Sequence, residues 1–176
     1  MFHTFFDRHG EGKCVYPAIA LYGDRKSFEG IWQEDHFRHG KLTHRDGRVY
    51  TGDFNRLNVD RNGKGVCVYP DGRTCYGEWK NNKAVHGKYD YGDGKVYTGD
   101  FKDGHRHGKG KCVYPTNHPN FRSVIGTWEN DDAKEGFCVF RSGNKYNGQW
   151  GKTPGKEGGN QRHGQGVCYY YRRVSK

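Results

Sequence analysis

The sequence predicts an all-β protein, an elongated, solenoid-like, single-layer antiparallel meander of about seven tandem β-hairpins. Three observations lead there. An aromatic, a glycine and a second aromatic recur on alternate residues, as in Tyr97-Thr98-Gly99-Asp100-Phe101, and self-similarity at a short spacing marks a repeat architecture. The alternation inside each copy has the period of two that belongs to a half-exposed strand. Finally, 28 glycines in 176 residues argue against helices, where each would cost about 1 kcal/mol.

The frame falls on Phe28-Gly30-Trp32, Tyr50-Gly52-Phe54, Cys75-Gly77-Trp79, Tyr97-Gly99-Phe101, Val124-Gly126-Trp128 and Tyr146-Gly148-Trp150, with a worn copy, Phe2-Thr4-Phe6, at the start. Each frame is followed by a second glycine: Gly12, Gly40, Gly65, Gly87, Gly110, Gly136 and Gly166. Two residues further on stand Cys14, Leu42, Cys67, Tyr89, Cys112, Cys138 and Cys168. Tyr69-Pro70-Asp71-Gly72-Arg73 supplies a turn between a glycine strand and the next frame, because proline presets φ and glycine admits a left-handed conformation. Asp46-Gly47, Asp93-Gly94 and Ser142-Gly143 mark the same turn elsewhere. A turn centred at Asp71 sets Gly65 opposite Gly77 and Cys67 opposite Cys75. The same rule pairs Gly136 with Gly148, Cys138 with Tyr146, and Tyr89 with Tyr97. Paired glycines leave a notch beside large rings, so the sheet is expected to bend with its aromatics on the concave side. Valine at Gly77 or Gly99 should crowd those rings, at a cost of about 1 to 3 kcal/mol.

The array is expected to occupy residues 1–176 as one domain: a degenerate repeat over 1–16, regular repeats over 28–150, and an extended connection with a C-terminal capping strand over 151–176. Hydrophobic residues make up 32% and mean hydropathy is −1.14, too polar for an ordinary two-layer core. Disorder would account for the polarity but not for 4 Trp, 13 Tyr and 10 Phe. No run approaches the roughly 18 apolar residues that span a bilayer, and no signal-peptide pattern opens the chain. The expected setting is the cytoplasm.

These frames resemble the MORN (membrane occupation and recognition nexus) family, whose repeat runs Tyr-x-Gly-x-Trp, a short basic linker, Gly-x-Gly and an Asp-Gly turn. The likeness covers nearly the whole chain. Thr4, Cys75, Val124, Leu42 and Tyr89 depart from it locally. The resemblance implies a hairpin solenoid, often dimeric, used as an assembly surface in cytoskeletal, ciliary, junctional or membrane-associated complexes. The expected function is a non-enzymatic scaffold or adaptor in a cytoskeletal or ciliary assembly, such as an axoneme. It would bind a protein segment in a concave groove of Phe28, Trp32, Tyr50, Phe54, Trp79, Tyr97, Phe101, Trp128, Tyr146 and Trp150. A homodimer is a further expected partner state.

The alternative is peripheral binding to anionic phospholipids, phosphoinositides among them. A net charge of +10 and a basic tail of Arg172, Arg173 and Lys176 favour it. Most of that charge reads as a solvated face that keeps an aromatic sheet in solution. Nucleic acid is set aside, since the aromatics are better used in packing than in stacking bases.

Catalysis and cofactors find no support. Cysteines and histidines follow the repeat period instead of converging on one site, and neither Gly10-x-Gly12 nor Gly108-x-Gly110 opens a helix after a strand. No Cys-x-x-Cys or His-x-x-x-His spacing suggests a metal. His9, His39, His86, His107 and His163 all precede a glycine and read as one structural position. Five cysteines read as small apolar fillers, too far apart in successive hairpins to bridge. Cys67 and Cys75 are expected to face each other as thiols, with an oxidisable bridge as the lesser reading. The segments Ala18–Lys26, Thr116–Arg122 and Gly151–Arg162 interrupt the repeat and are secondary candidates for recognition.

Overall fold

The structure, a computed structural model, describes residues 8–18, 23–56, 60–152 and 160–171. Its strands are β1 (Gly10–Val15), β2 (Arg25–Gln33), β3 (His36–His44), β4 (Val49–Phe54), β5 (Arg61–Val68), β6 (Thr74–Lys80), β7 (Lys83–Asp90), β8 (Val96–Lys102), β9 (His105–Val113), β10 (Phe121–Glu129), β11 (Asp132–Phe140), β12 (Lys145–Lys152) and β13 (Asn160–Tyr169). These thirteen neighbour one another in chain order, as a meander requires, and no helix occurs among the described residues. The strands fall in two compact units, residues 1–85 and 86–176, divided within β7. A fourteenth strand, expected around Phe2-Thr4-Phe6, lies outside the described residues, as do Arg172, Arg173 and Lys176.

The expected pairs hold: Gly65 faces Gly77, Gly136 faces Gly148 and Tyr89 faces Tyr97. Pairing also continues where the sequence reading stopped, between one hairpin and the next. In the first unit Gly12, Gly30, Gly40, Gly52, Gly65 and Gly77 stand in one file across the strands. In the second, Gly87, Gly99, Gly110, Gly126, Gly136, Gly148 and Gly166 do the same. Aromatic rings lie along this bare backbone. A Cβ on Gly65 would sit 2.2 Å from the Tyr50 hydroxyl, and one on Gly110 would sit 2.1 Å from that of Tyr97. The file of glycines is therefore a steric requirement of the rings above it.

Two kinds of turn alternate. The proline and Asp-Gly turns join glycine strands to frames as expected, with Tyr69 N–H donating to the Arg73 carbonyl and Gly72 at φ 88°. Frames return to glycine strands through two-residue turns that the sequence reading passed over: Glu34-Asp35, Asn81-Asn82, Asp103-Gly104 and Asn130-Asp131. Both residues of each have positive φ. That is the type I′ geometry that matches the twist of paired strands, and asparagine and aspartate tolerate it better than most residues.

A third device explains Gly-x-Gly. In His107-Gly108-Lys109-Gly110 the second glycine belongs to the file, while the first, at φ 58°, lies in a bulge between β8 and β9. The Asp100 carboxylate accepts the Lys109 N–H at 3.0 Å and closes the bulge. Asp53 accepts the Lys64 N–H, and the Gln149 side-chain oxygen that of Gln165, at the matching places. The histidines therefore occupy two positions and not one. His107 and His163 precede bulge glycines, whereas His39 and His86 precede file glycines. The Gly151–Arg162 connection is also shorter than expected, because Gly151 pairs with Gln161 and Lys152 with Asn160.

Candidate functional site

All ten aromatics expected to line a groove are instead the core. Phe28, Tyr50 and Tyr97 have no exposed surface, and Phe101, the most open, has 9%. Within a frame the two rings meet edge to face, with centroids 5.1 Å apart for Phe28–Trp32, Tyr50–Phe54 and Tyr97–Phe101, and 5.0 Å for Tyr146–Trp150. Tyr50 and Tyr97 also reach the tryptophan of the following frame, Trp79 and Trp128, at 5.4 and 5.6 Å. Such pairs add about 0.5 to 1.5 kcal/mol beyond the area they bury. Phe37, which lies outside any frame, stacks on Phe28 at 3.9 Å and is equally buried.

The layer is covered by arginines that sequence reasoning did not single out. Arg8, Arg61 and Arg106 lie 4.0, 4.5 and 4.3 Å from the ring centres of Trp32, Trp79 and Trp128. Each is fixed by the residue three beyond that tryptophan. Arg106 donates through its backbone N–H and Nε to Asp131 Oδ1, both at 3.0 Å, and the Asp131 N–H donates back to the Arg106 carbonyl. Arg8 meets Asp35 and Arg61 meets Asn82 in the same way. The guanidiniums also donate to the sulfur six residues on: Arg8 to Cys14, Arg61 to Cys67 and Arg106 to Cys112. The signal was available as Arg-x5-Cys, with Trp-x-x-Asp or Trp-x-x-Asn in the next strand.

The opposite face of the sheet is open. In the second unit one row across the strands reads Lys88, Thr98, Lys111, Ile125, Phe137, Asn147 and Val167. The adjoining row reads Val96, Val113, Ser123, Val139, Lys145 and Tyr169. Val113, Ile125, Val167 and Tyr169 are 40 to 55% exposed, and Lys88, Lys111 and Lys145 are exposed beside them. In the first unit the row equivalent to the first of these carries Lys13, Glu29, Lys41, Thr51, Val66 and Tyr76, a more polar set, while the adjoining row includes the exposed Val15 and Val68.

Cys67 and Cys75 face each other in register, buried and unbridged. Burial, and then the neighbouring Cys67, pushes the Cys75 thiol up to about 12, which leaves it protonated and inert at neutral pH. Among the described residues no cluster of His, Cys, Asp and Glu could hold a metal ion. Two of the histidines pair with carboxylates at the surface: His39 Nδ1 lies 2.7 Å from Asp53 and His86 Nδ1 2.7 Å from Asp100. Of the interrupting segments, Tyr16 N–H donates to the Lys26 carbonyl at the edge of the first, and the Tyr114 N–H donates to the Arg122 carbonyl around the second. Residues 153–159, within the third, lie outside the described residues.

No curated protein matches this chain. The family model for the MORN repeat does, over residues 7–18, 61–72, 75–96, 97–118 and 159–172. Three of these stretches, 7–18, 61–72 and 159–172, each hold an Arg-x5-Cys strand, and 75–96 begins on the frame of β6. A fourth such strand, β9, begins within 97–118, which opens on the frame of β8. The chain thus carries MORN repeats at these five stretches, and the same frame recurs in β2, β4, β10 and β12 between them.

Proposed function

We propose that the chain is a non-enzymatic scaffold that seats a protein segment on the open face of β8–β13, in a cytoplasmic assembly of cytoskeletal or ciliary type. MORN repeats supply the coarser part, a repeat-based binding scaffold. The observation that carries the rest is the exposed apolar set Val113, Ile125 and Val167, with the half-buried Phe137 among them, rimmed by Lys88, Lys111 and Lys145. Contiguous apolar surface on a soluble sheet suits a partner, and a lysine rim favours one with acidic residues flanking an apolar stripe. The ten aromatics enter this reading as the stiff layer beneath the sheet. Being buried, they support the contact surface without forming it.

A tagged chain retrieved from its source cells at physiological salt, and then washed at high salt, tests this beside Ile125→Asp. Ile125 is exposed, so the variant keeps its fold. A stoichiometric protein partner held by the native chain through the high-salt wash and lost from Ile125→Asp is the expected result. Equal recovery by both refutes the seating.

Anionic lipid is the second reading, favoured by lysines that recur on this face, Lys13 and Lys41 in the first unit and Lys88 and Lys111 in the second. Anionic phospholipid in the eluate, with no protein partner, would replace the scaffold reading.

A further inference from the structure

We propose that the outer edge of β13 is a strand-accepting socket for a partner polypeptide that carries x-Gly-x-Trp-x-x-Asp, or the same frame ending in Asn. The chain builds one kind of strand four times. Arg8-His9-Gly10-Glu11-Gly12-Lys13-Cys14, Arg61-Asn62-Gly63-Lys64-Gly65-Val66-Cys67 and Arg106-His107-Gly108-Lys109-Gly110-Lys111-Cys112 are its first three copies, and Arg162-His163-Gly164-Gln165-Gly166-Val167-Cys168 is the fourth. The first three are each paired by a following frame strand. That strand lays a tryptophan under the guanidinium and returns an Asp or Asn to the arginine's backbone N–H. The tryptophan also donates its indole N–H across the join, Trp79 to the Gly65 carbonyl and Trp128 to that of Gly110, both at 3.1 Å.

The fourth copy holds the inner half of this arrangement. Arg162 stands 5.9 Å from the Tyr146 ring centre, as Arg61 stands 5.8 Å from Tyr50 and Arg106 5.9 Å from Tyr97. It donates to Cys168 Sγ at 3.0 Å, just as its counterparts donate to theirs. Tyr170 also hydrogen-bonds the Arg162 side chain, as Tyr114 does that of Arg106, and the place of the tryptophan strand is vacant among the described residues. β13 neighbours only β12, and Gln161 to Val167 are exposed. The chain beyond β13 turns inward: the Tyr171 N–H donates to the Asn144 side-chain oxygen, and its ring lies against Gly143, where Pro70 lies against Gly47 and Pro115 against Gly94. Through Tyr171 it leaves the edge uncovered. A preset arginine, a free strand edge and the Gly166 carbonyl together specify a strand that adds its own hydrogen-bond ladder, stacks a tryptophan on Arg162 and supplies a carboxylate or amide three residues later.

The probe is a labelled peptide of residues 122–134, the chain's own strand that fills this place against β9, titrated into the full chain and followed by fluorescence anisotropy. Saturable binding is expected, about tenfold weaker for the Arg162→Ala chain and for peptides with Trp128→Ala or Asp131→Ala. Arg162 is exposed, and an unchanged thermal midpoint for Arg162→Ala shows that the fold is kept. Absence of saturable binding overturns the proposal, as does binding indifferent to Arg162→Ala, which together with weakening by Trp128→Ala is the sign of strand exchange at β9. A dimer by sedimentation that Arg162→Ala dissociates, with no peptide bound, assigns the edge to a second copy and overturns it too. The seating on the open face is tested separately, since Ile125→Asp should leave peptide binding unchanged.

Discussion

A Cβ on Gly126 would stand 1.9 Å from the Glu135 carbonyl oxygen and 2.7 Å from the Gly136 Cα, where only backbone could move to make room. Gly12, on β1, would meet nothing nearer than the Trp32 ring at 3.6 Å among the described residues. Gly126→Ala should therefore cost about 1 to 3 kcal/mol, and Gly12→Ala no more than about 0.5 kcal/mol. Equal denaturant midpoints for the two variants would contradict the glycine file. Asp100 makes a second residue-scale case. The His86 hydrogen bond first, then the Lys109 N–H against the cost of partial burial, holds its carboxyl below the ordinary value of 3.8. A folded value below the unfolded one gives stability that is complete above 3.8 and lost as pH falls through the lowered folded value. Acid unfolding of Asp100→Asn should accordingly be shallower than that of the native chain below about pH 4. Parallel acid curves would show that the bulge clip does not depend on the charge.

At the scale of elements, the Arg-x5-Cys strand and the tight turn that follows its neighbour behave as one unit. Arg106 is 14% exposed, lies over Trp128 and shares Asp131 with a type I′ turn. Arg106→Ala should cost about 2 kcal/mol from the lost cation–π contact and charge-assisted bonds. Asp131→Ala should cost nearly as much, and the double variant little more than Arg106→Ala alone, because each change breaks the same unit. Additive losses in urea unfolding would separate arginine from turn. The cysteines grade along these strands in the same way. Cys67, Cys75, Cys112 and Cys138 are buried, while Cys14 and Cys168, on the outermost strands among the described residues, are partly open. Brief alkylation of the native chain should modify the edge pair first, and early loss of the Cys75 thiol would contradict its burial. The frame, the Asp-Gly turn and the Cys67–Cys75 register were legible from alternation and pairing arithmetic alone. The type I′ turns were not, since Glu34-Asp35 and Asn130-Asp131 lack the glycine that advertises such turns. Nor were the two histidine positions, because His-Gly reads alike whether its glycine stands in the file or in a bulge.

For the whole molecule, alternation identified which face is aromatic but could not say whether that face is open. The cover comes from Arg8, Arg61 and Arg106, whose neighbours across the sheet are 25 or more residues away in sequence for Arg8 and Arg106 and 21 for Arg61. A strand pattern carries no trace of such a lid, so a core was read as a groove. That displacement alters what the net charge of +10 can do. With the rings buried, the basic residues act from the surface, where Lys13 already shares its charge with Glu29 at 3.5 Å and Arg48 with Asp24 at 2.8 Å. Exposed pairs of this kind contribute little binding energy, and interactions beyond the Debye length of about 8 Å at physiological salt are screened. Attraction to an acidic surface is then a low-salt property of the whole chain, whereas apolar contact through Val113, Ile125 and Val167 resists salt. Co-sedimentation with vesicles of phosphatidylcholine and phosphatidylserine should be strong in dilute buffer and fall away as salt rises to physiological strength. Ile125→Asp should weaken it only slightly, since that change alters one unit of a dispersed charge. Vesicle binding that persists at physiological salt and collapses in Ile125→Asp would place the apolar patch in the membrane interface and make lipid the physiological partner.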